Sequence, residues 1–195
     1  MTVIAFRDGK LAADTAMYVG DTLRGYMQKI VRGPDGTLAG GCGAVSSCCR
    51  FLAWIQAGEP EAFEPEPEES FGALVVRPGG ATFCVDSTGH LTPFDGHGYA
   101  ASGSGADVAL GAMHAGASAE DAVRASIEWN AYCGGTVQVE VLGKVVAAKK
   151  VIWREIAMLP MFPGQKIVVR DGYVGGREAH VGPKVPKWAV DWRFA

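Results

Sequence analysis

The order of strand-like and helix-like segments is the feature that most limits the fold of this chain. Apolar and β-branched runs separated by glycine turns occupy residues 2–41, and further strand-like runs occupy residues 72–102. One helical pattern lies between these blocks, and two more precede a last alternating run at 136–142. This order predicts an α+β fold in which sheets are covered by helices.

Local signals place the individual elements. Turn sequences at 7–10 and 33–36 predict two hairpins, and Ser118 with Asp121 three residues later marks the start of the last helix. The predicted helices cover 44–57, 105–115 and 118–129. The predicted strands cover 2–6, 11–14, 28–32, 37–41, 72–77, 81–86, 99–102 and 136–142.

The length of 195 residues allows one sizeable core, and we expect it to form over residues 1–143. Residues 144–195 are less regular and have a basic bias, which indicates a C-terminal extension of uncertain role with short strands at 145–153 and 166–170. Within the first part, Glu59–Glu69 holds six Glu and three Pro. This composition predicts a solvated loop that does not pack, with an acidic docking surface as the alternative.

Composition and charge exclude several classes of protein. The net charge is −3 and basic residues form no stripe with aromatic ones, so nucleic acid is not an expected partner. No apolar run reaches the roughly 20 residues that span a bilayer, and the start lacks the pattern of a signal peptide. The five cysteines are odd in number and include an adjacent pair, which fits reduced thiols. We expect a soluble, cytoplasmic protein.

Thr2 is the candidate nucleophile because it directly follows Met1. Removal of Met1 would place a hydroxyl and an α-amine, with a reference pKa of about 7.7–8.0, on one residue. A neighbouring ammonium such as Lys29 would lower the pKa of that amine, and Asp14 would hold Lys29 in place. By spacing alone, an ordinary ion pair between Asp14 and Lys29 is the simpler interpretation.

Two glycine-rich segments could contact a substrate. In Ala39–Gly43, the Gly40 N–H could donate to an oxyanion, and the alternative is a tight bend into the next helix. Ser102–Gly105 opens a helix, which suits a polar contact at the helix start. This second segment lacks the glycine spacing of a phosphate loop, so the sequence gives little support for a nucleotide.

Histidine and cysteine spacing gives no sign of a metal site. The histidines show no metal-ligand spacing with one another or with cysteine. Cys48 and Cys49 lie next to each other on a predicted helix, where adjacent side chains diverge, so they are not expected to form a redox pair. We predict neither a metal nor another cofactor. The histidines are His90, His97, His114 and His180.

Taken in order, these segments resemble the proteasome β-subunit family of N-terminal nucleophile hydrolases, which includes the bacterial HslV-type ring proteases. The similarity covers about residues 2–142, and the ordered set is more specific than any single piece. The matching pieces are Thr2, Ala12-Ala13-Asp14, Lys29-Ile30, Ala39-Gly40-Gly41, Gly103-Ser104-Gly105 and Asn130–Gly135.

The resemblance implies a four-layer α-β-β-α sandwich whose copies assemble into a homo-oligomeric ring. It implies a threonine-type endopeptidase that acts on peptides or unfolded protein without a cofactor, and it leaves open whether an ATP-dependent unfoldase feeds the ring. By position, Thr2 matches the nucleophile, Lys29 matches the residue that tunes its α-amine, and Asp14 matches the residue that orients the lysine. Gly40 matches the residue whose N–H stabilises the oxyanion, and Ser104 matches the serine that contacts the amine. The implied specificity pocket is apolar, which favours cleavage after hydrophobic residues, and comprises Met17, Met27, Val31, Leu38 and Cys42.

Two positions depart from the family pattern. Asn130 stands where the family usually has Asp, and Cys133 stands where it has Ser. Asn lacks the charge that acts on the amine, and a thiol is a weaker hydrogen-bonding group than a hydroxyl, so we expect reduced activity. A ring-forming homologue without activity and a small-amide hydrolase of the same wider class are the alternatives. With Met1 attached, Thr2 has no free amine and the chain should be inactive.

Overall fold

The structure is a computed structural model that describes residues 1–67, 69–94 and 98–143. These residues belong to one compact unit, Met1–Gly143. The strands predicted at 145–153 and 166–170, and the C-terminal extension as a whole, lie outside the described residues.

Strands and helices follow one another along this unit in the order expected for a mixed fold. The helices are α1 (Val45–Gln56), α2 (Ala106–His114) and α3 (Ala119–Trp129), and none of them is long and apolar enough to cross a lipid bilayer. The strands are β1 (Ile4–Arg7), β2 (Lys10–Asp14), β3 (Ala16–Val19), β4 (Thr22–Tyr26), β5 (Ile30–Arg32), β6 (Leu38–Gly43), β7 (Phe71–Val76), β8 (Thr82–Val85), β9 (Leu91–Pro93), β10 (Tyr99–Ser102) and β11 (Val137–Val141).

The strands form two larger sheets and one separate hairpin. The first sheet has the order β10-β1-β2-β11, the second has the order β5-β6-β7-β8-β9, and β3 pairs with β4. All of these pairs are antiparallel. In the β1–β2 pair Ile4 lies opposite Ala13, so the residues before β1 lie beside the end of β2. This register brings Thr2 close to Asp14.

Three clusters of buried side chains pack the two sheets against each other and against the helices. The first lies between the two sheets and includes Ile4 from β1 and Leu74 from β7. The second joins the opposite face of the second sheet to α1 through Phe51. The third joins the first sheet to α2 and α3 through residues such as Met113 and Val123. The sheets therefore pack against each other and carry helices on their outer faces, and the predicted α+β class is confirmed.

The predicted hairpins, helices and closing strand over residues 2–142 are all present, with some ends shifted. Three strands were missed, namely β3, β4 and β9. β4 contains Arg24 and Gly25 and is largely exposed, so it lacks the alternation that marks a half-buried strand. β9 is three residues long and ends at Pro93, a residue that usually argues against a strand.

The acidic segment 59–69 packs more than its composition predicts. Phe63 contacts Phe51 of α1, with ring centroids 5.1 Å apart. The Glu69 carboxylate accepts hydrogen bonds from the Ser46 and Ser47 hydroxyls at 2.7 and 2.6 Å. The expectation that this segment does not pack is therefore wrong, because an aromatic side chain and a carboxylate attach it to α1.

Candidate active site

The β1–β2 hairpin places Thr2 and Asp14 at the same end of the first sheet. Asp8 and Gly9 both have positive φ, 49° and 74°, which is the backbone of a tight hairpin turn that matches strand twist. At the open end of the hairpin, the Asp14 N–H donates to the Val3 carbonyl at 3.3 Å. Thr2 and Asp14 are both buried. The turn sequence therefore fixes the register that joins the candidate nucleophile to its carboxylate.

The Asp14 carboxylate is held by three donors. Lys29 Nζ and the Val3 N–H donate to Oδ1 at 2.8 and 3.0 Å, and the Gly134 N–H donates to Oδ2 at 3.0 Å. A buried carboxylate needs such partners, because burial without them is costly. The structure thus brings Asp14 and Lys29 together as a buried pair rather than as a surface ion pair.

The Lys29 ammonium also reaches the peptide bond between Met1 and Thr2. Nζ donates to the Met1 carbonyl oxygen at 3.3 Å, and Thr2 Oγ1 donates to the same oxygen at 2.5 Å. Lys29 lies directly before β5 and is 3% exposed. The hydroxyl of Thr2 and the ammonium of Lys29 therefore meet at one atom, although the two residues precede strands of different sheets.

The turn after β10 contacts the main chain of Thr2. The Thr2 N–H donates to Ser104 Oγ at 3.0 Å, and the Gly105 N–H donates to the Thr2 carbonyl at 3.2 Å. Gly103 has a φ of 95°, and a Cβ there would lie 2.2 Å from the Thr2 carbonyl oxygen. Glycine is therefore required at position 103. Ser104 contacts the nitrogen that would become the α-amine if Met1 were removed.

Asn130 forms a hydrogen bond with the turn after β10 and does not contact Thr2 directly. Its Nδ2 donates to the Ser104 carbonyl at 2.8 Å, and its Oδ1 accepts from the Tyr132 N–H at 2.9 Å. The amide supplies both a donor and an acceptor, whereas an ionised Asp would place a carboxylate against the Ser104 carbonyl. Asn130 therefore suits its local partners, and the reduced activity expected from it stays a prediction.

Cys133 is buried next to the start of α2. Burial and the Asp14 carboxylate raise the pKa of its thiol from 9.0 to about 11, while Lys29 and a hydrogen bond with Ser104 oppose this effect. A Cβ on Gly105 would lie 2.7 Å from the Cys133 sulfur, so the packing is tight. The thiol stays protonated at neutral pH and is not a nucleophile in this state.

Strand β6 presents Gly41 and Gly43 to the pocket beside Thr2, and Gly40 is not among the residues that line it. The Gly41 N–H donates to the Lys29 carbonyl at 3.2 Å, on the β5 side. Successive amides of a strand point to opposite sides, so the Gly40 N–H points toward β7. A Cβ on Gly40 would lie 2.9 Å from Ile30, which explains the glycine by packing. The structure does not bring the Gly40 amide to Thr2.

A small pocket adjoins Thr2 and Lys29. Its cavity volume is about 20 Å³, which is about the space of one water molecule. Met1 forms part of its wall, so removal of Met1 would enlarge the pocket. The main lining side chains besides Thr2 and Lys29 are Met1, Met17, Tyr18, Met27, Val45 and Cys48.

Only two of the five predicted pocket residues, Met17 and Met27, line this pocket. Val31 lies in the cluster between the second sheet and α1. Leu38 and Cys42 lie in the cluster between the sheets. These three side chains contribute to the cores around the site and not to the wall beside Thr2.

Sequence reasoning missed Val45 and Cys48 as pocket residues. Their three-residue spacing placed them on one face of a predicted helix, but not beside Thr2. That contact depends on how α1 follows β6, where a Cβ on Gly41 would lie 3.4 Å from Cys48. Burial and the neighbouring Cys42 raise the pKa of the Cys48 thiol to about 12, so this thiol is protonated as well.

The described residues offer no other reactive centre of a familiar kind. All five cysteines fall among them, and none is in a disulfide. Within 1–67, 69–94 and 98–143, no group of three or more His, Cys, Asp or Glu residues is placed to hold a metal. The buried threonine, lysine and aspartate are therefore the strongest candidates for chemistry in this part of the chain.

The likeness to two solved structures supports a proteasome-type fold for this part of the chain. This fold matches eukaryotic HslV from Trypanosoma brucei with a TM-score of 0.57 and 16% identity, over 72% of this chain and 97% of that chain. It also matches Thiobacillus denitrificans BPH in complex with epoxomicin with a TM-score of 0.51 and 23% identity, over 73% and 98%. No protein-family model and no curated protein sequence matches the chain.

Proposed function

We propose that this chain is a threonine-type endopeptidase that becomes active when Met1 is removed, and that its layers form the α-β-β-α sandwich of N-terminal nucleophile hydrolases. The observation that carries the proposal is the convergence of Thr2 Oγ1 and Lys29 Nζ on one carbonyl oxygen, with Asp14 fixing the ammonium. The proteasome-type fold supports it. Ser104 Oγ lies 3.0 Å from the Thr2 nitrogen, where the free amine would form.

In this proposal Thr2 Oγ1 attacks the carbonyl carbon of the scissile peptide bond. The α-amine takes the hydroxyl proton, directly or through a water molecule, and passes it to the leaving nitrogen as the C–N bond breaks. The product is an ester on Thr2. A water molecule that loses its proton to the same amine then hydrolyses the ester and regenerates the enzyme.

Lys29 and Asp14 keep the amine in the neutral form that can accept a proton. A nearby ammonium disfavours protonation of the amine and lowers its pKa, which keeps a larger fraction neutral at pH 7. The Val3 and Gly134 N–H groups fix the Asp14 carboxylate, and the carboxylate in turn fixes the Lys29 ammonium. An ion pair prepared in this way needs little rearrangement during the reaction.

The oxyanion donor in this proposal is an amide on the pocket side of β6. Gly41 and Gly43 line the pocket, and both lack a side chain that would keep a substrate carbonyl away from the backbone. Gly40, which the resemblance implied for this role, directs its amide toward β7. Gly43 is therefore the better candidate, because the Gly41 N–H already donates to the Lys29 carbonyl at 3.2 Å.

The proposed substrate carries a hydrophobic residue before the scissile bond. Met17, Met27 and Val45 give the pocket an apolar wall, and Cys48 adds a protonated thiol. Unbranched methionine side chains adapt to ligands of different shape. The proposal also includes a homo-oligomeric ring, and this part of it rests only on the similarity of the fold.

Intact-protein mass spectrometry with a peptide epoxyketone tests the proposal, since the two-step adduct requires a hydroxyl and a free amine on one residue. We expect loss of Met1 and one adduct per chain on Thr2, together with hydrolysis of fluorogenic peptides. Thr2→Ala should abolish both adduct and hydrolysis, and Thr22→Ala, an exposed threonine on β4, should change neither.

Retained Met1, or loss of Met1 without an adduct, would contradict the proposal. Turnover by Thr2→Ala at the wild-type rate would exclude the mechanism. Hydrolysis of small amides by a monomer that leaves unfolded protein intact would identify a small-amide hydrolase instead.

A further inference from the structure

The side-chain amide of Gln138, on β11, connects the main chain on both sides of the Asp14–Lys29 pair. The Lys29 N–H donates to Gln138 Oε1 at 3.1 Å. Gln138 Nε2 donates to the Met27 carbonyl at 2.9 Å and to the Asp14 carbonyl at 3.3 Å. One side chain therefore ties the end of β2, in the first sheet, to the residues that lead into β5, in the second.

These partners suit glutamine in particular. An amide has one carbonyl acceptor and two N–H donors, and here each of them has a main-chain partner. A glutamate would turn a carboxylate toward the carbonyls of Met27 and Asp14. An asparagine is shorter by one methylene group and would not span the same distance.

The position of β5 explains why the main chain before it needs such a tie. β5 lies at the edge of the second sheet and begins at Ile30, one residue after Lys29. The Lys29 carbonyl accepts from the Gly41 N–H of β6 at 3.2 Å, whereas the Lys29 N–H donates to Gln138 Oε1 and not to β6. Gln138 Oε1 satisfies that N–H where a strand partner would otherwise do so.

We propose that Gln138 is a positioning residue that sets the place of the Lys29 ammonium between Asp14 and Thr2. Its consequence for catalysis rests on the proposed function. Gln138 acts through the main chain of Lys29 and Met27, and its side chain is not among the groups that contact Thr2 in the described residues. Because Met27 lines the pocket beside Thr2, the same tie also steadies one wall of that pocket.

A second tie between the same strands provides a matched control. Arg32 on β5 donates to the Glu140 carboxylate at 2.9 Å and to the Val141 carbonyl at 2.6 Å. Glu140 is two residues after Gln138, so the two side chains lie on the same face of β11. This second tie joins β11 to β5 farther from Lys29, and its loss should not move the ammonium.

The test compares Gln138→Met and Arg32→Met in the full-length protein. One readout is kcat/KM on a fluorogenic peptide as a function of pH. The other is the rate of Lys29 acetylation by acetic anhydride, measured by peptide mass spectrometry, which does not depend on activity. If Gln138→Met fails to fold, Gln138→Asn keeps the polarity and still lacks the reach.

For Gln138→Met we expect kcat/KM to fall on the order of 10- to 100-fold, as for a misplaced catalytic group. The acidic limb of its pH profile should move upward by roughly half a unit, because a displaced ammonium lowers the amine pKa less. Lys29 should be acetylated faster than in the wild type. Arg32→Met should retain the wild-type profile and the wild-type acetylation rate.

Equal effects of the two variants, or a wild-type acetylation rate in Gln138→Met, would overturn the inference. A wild-type protein without turnover or epoxyketone adduct would instead contradict the proposed function. In that case the acetylation rates still decide whether Gln138 positions Lys29.

Discussion

The Nζ atom of Lys29 lies 2.8 Å from the Oδ1 atom of Asp14, with the two side chains 3% and 0% exposed. Removing two charges from water costs several kcal/mol per ion, and mutual attraction often fails to compensate for that cost. Such a pair is a poor way to stabilise a fold. Its place beside Thr2 therefore favours a functional role over the simpler interpretation as an ordinary ion pair.

Asp14→Asn should both destabilise the protein and abolish peptide hydrolysis. The variant leaves the Lys29 ammonium buried without a charged partner, which costs about 3–5 kcal/mol. Urea unfolding and a fluorogenic peptide assay measure the two effects. Asp21→Asn, at an exposed turn between β3 and β4, is the matched control and should change neither.

The double variant Asp14→Asn/Lys29→Met, compared with Asp14→Asn, separates stability from chemistry. Removing both charges eliminates the unpaired ion, so much of the lost stability should return while hydrolysis remains absent. A double variant that is active would show that the pair has no part in the reaction.

Asn130→Asp should lower the free energy of unfolding by about 0.5–1.5 kcal/mol at neutral pH. The amide donates to the Ser104 carbonyl at 2.8 Å, and an ionised carboxylate has no hydrogen to donate there. At lower pH a protonated Asp can donate again, so the difference from wild type should shrink as the pH falls. Urea unfolding at pH 7.5 and pH 4 measures this, with kcat/KM measured in parallel.

Higher kcat/KM in Asn130→Asp would contradict this account of Asn130. It would mean that a negative charge at position 130, which is usual in the family that the sequence resembles, raises kcat/KM by more than loss of the hydrogen bond to Ser104 lowers it. Asn130 would then lower the activity of the wild-type protein.

Local chemistry made the hairpins and helices predictable from the sequence. The Asp8-Gly9 turn, the Ser118 cap and the Gly134-Gly135 break each fix backbone conformation within a few residues. Ser118 caps α3 as predicted, since its hydroxyl accepts from the Asp121 N–H at 3.1 Å. The β3–β4 hairpin also has a local signal, since Gly20-Asp21 forms its two-residue turn, but β4 is largely exposed and lacks the alternation that marks a strand.

Contacts between sheets were not predictable from local pattern. The resemblance led to Thr2, Asp14, Lys29 and Ser104, which the structure brings together. The pocket wall and the direction of the Gly40 amide depend on strand register and on the docking of α1, and a shift of one residue reverses both. Gln138 was missed for the same reason, because its partners are more than one hundred residues away.

Met27→Ala should shift the substrate preference toward larger residues before the scissile bond. Truncation removes part of the pocket wall, so kcat/KM for an aromatic residue relative to leucine should rise by about tenfold. A matched pair of fluorogenic peptides gives this ratio. Leu23→Ala, on the exposed β4, should leave the ratio unchanged, and an unchanged ratio in Met27→Ala would remove Met27 from the specificity pocket.

Cys133→Ser should change how stability depends on pH at the alkaline end. Burial and Asp14 raise the pKa of the folded thiol from 9.0 to about 11, so above pH 9 the folded state binds more protons than the unfolded state. The contribution of the neutral thiol to the free energy of unfolding is therefore fully present below pH 9 and is lost as the pH rises toward 11. Serine does not titrate in this window.

The free energy of unfolding of the wild type relative to Cys133→Ser should consequently fall between pH 8.5 and pH 10.5 in urea titrations. Cys49→Ser, at an exposed position on α1, is the control for thiol removal and should show a much smaller change. Since lysines and tyrosines titrate in both proteins, only the difference between them isolates Cys133. A difference that stays constant with pH would mean that the thiol is not held protonated by its surroundings, and that the Asp14 carboxylate does not act on it.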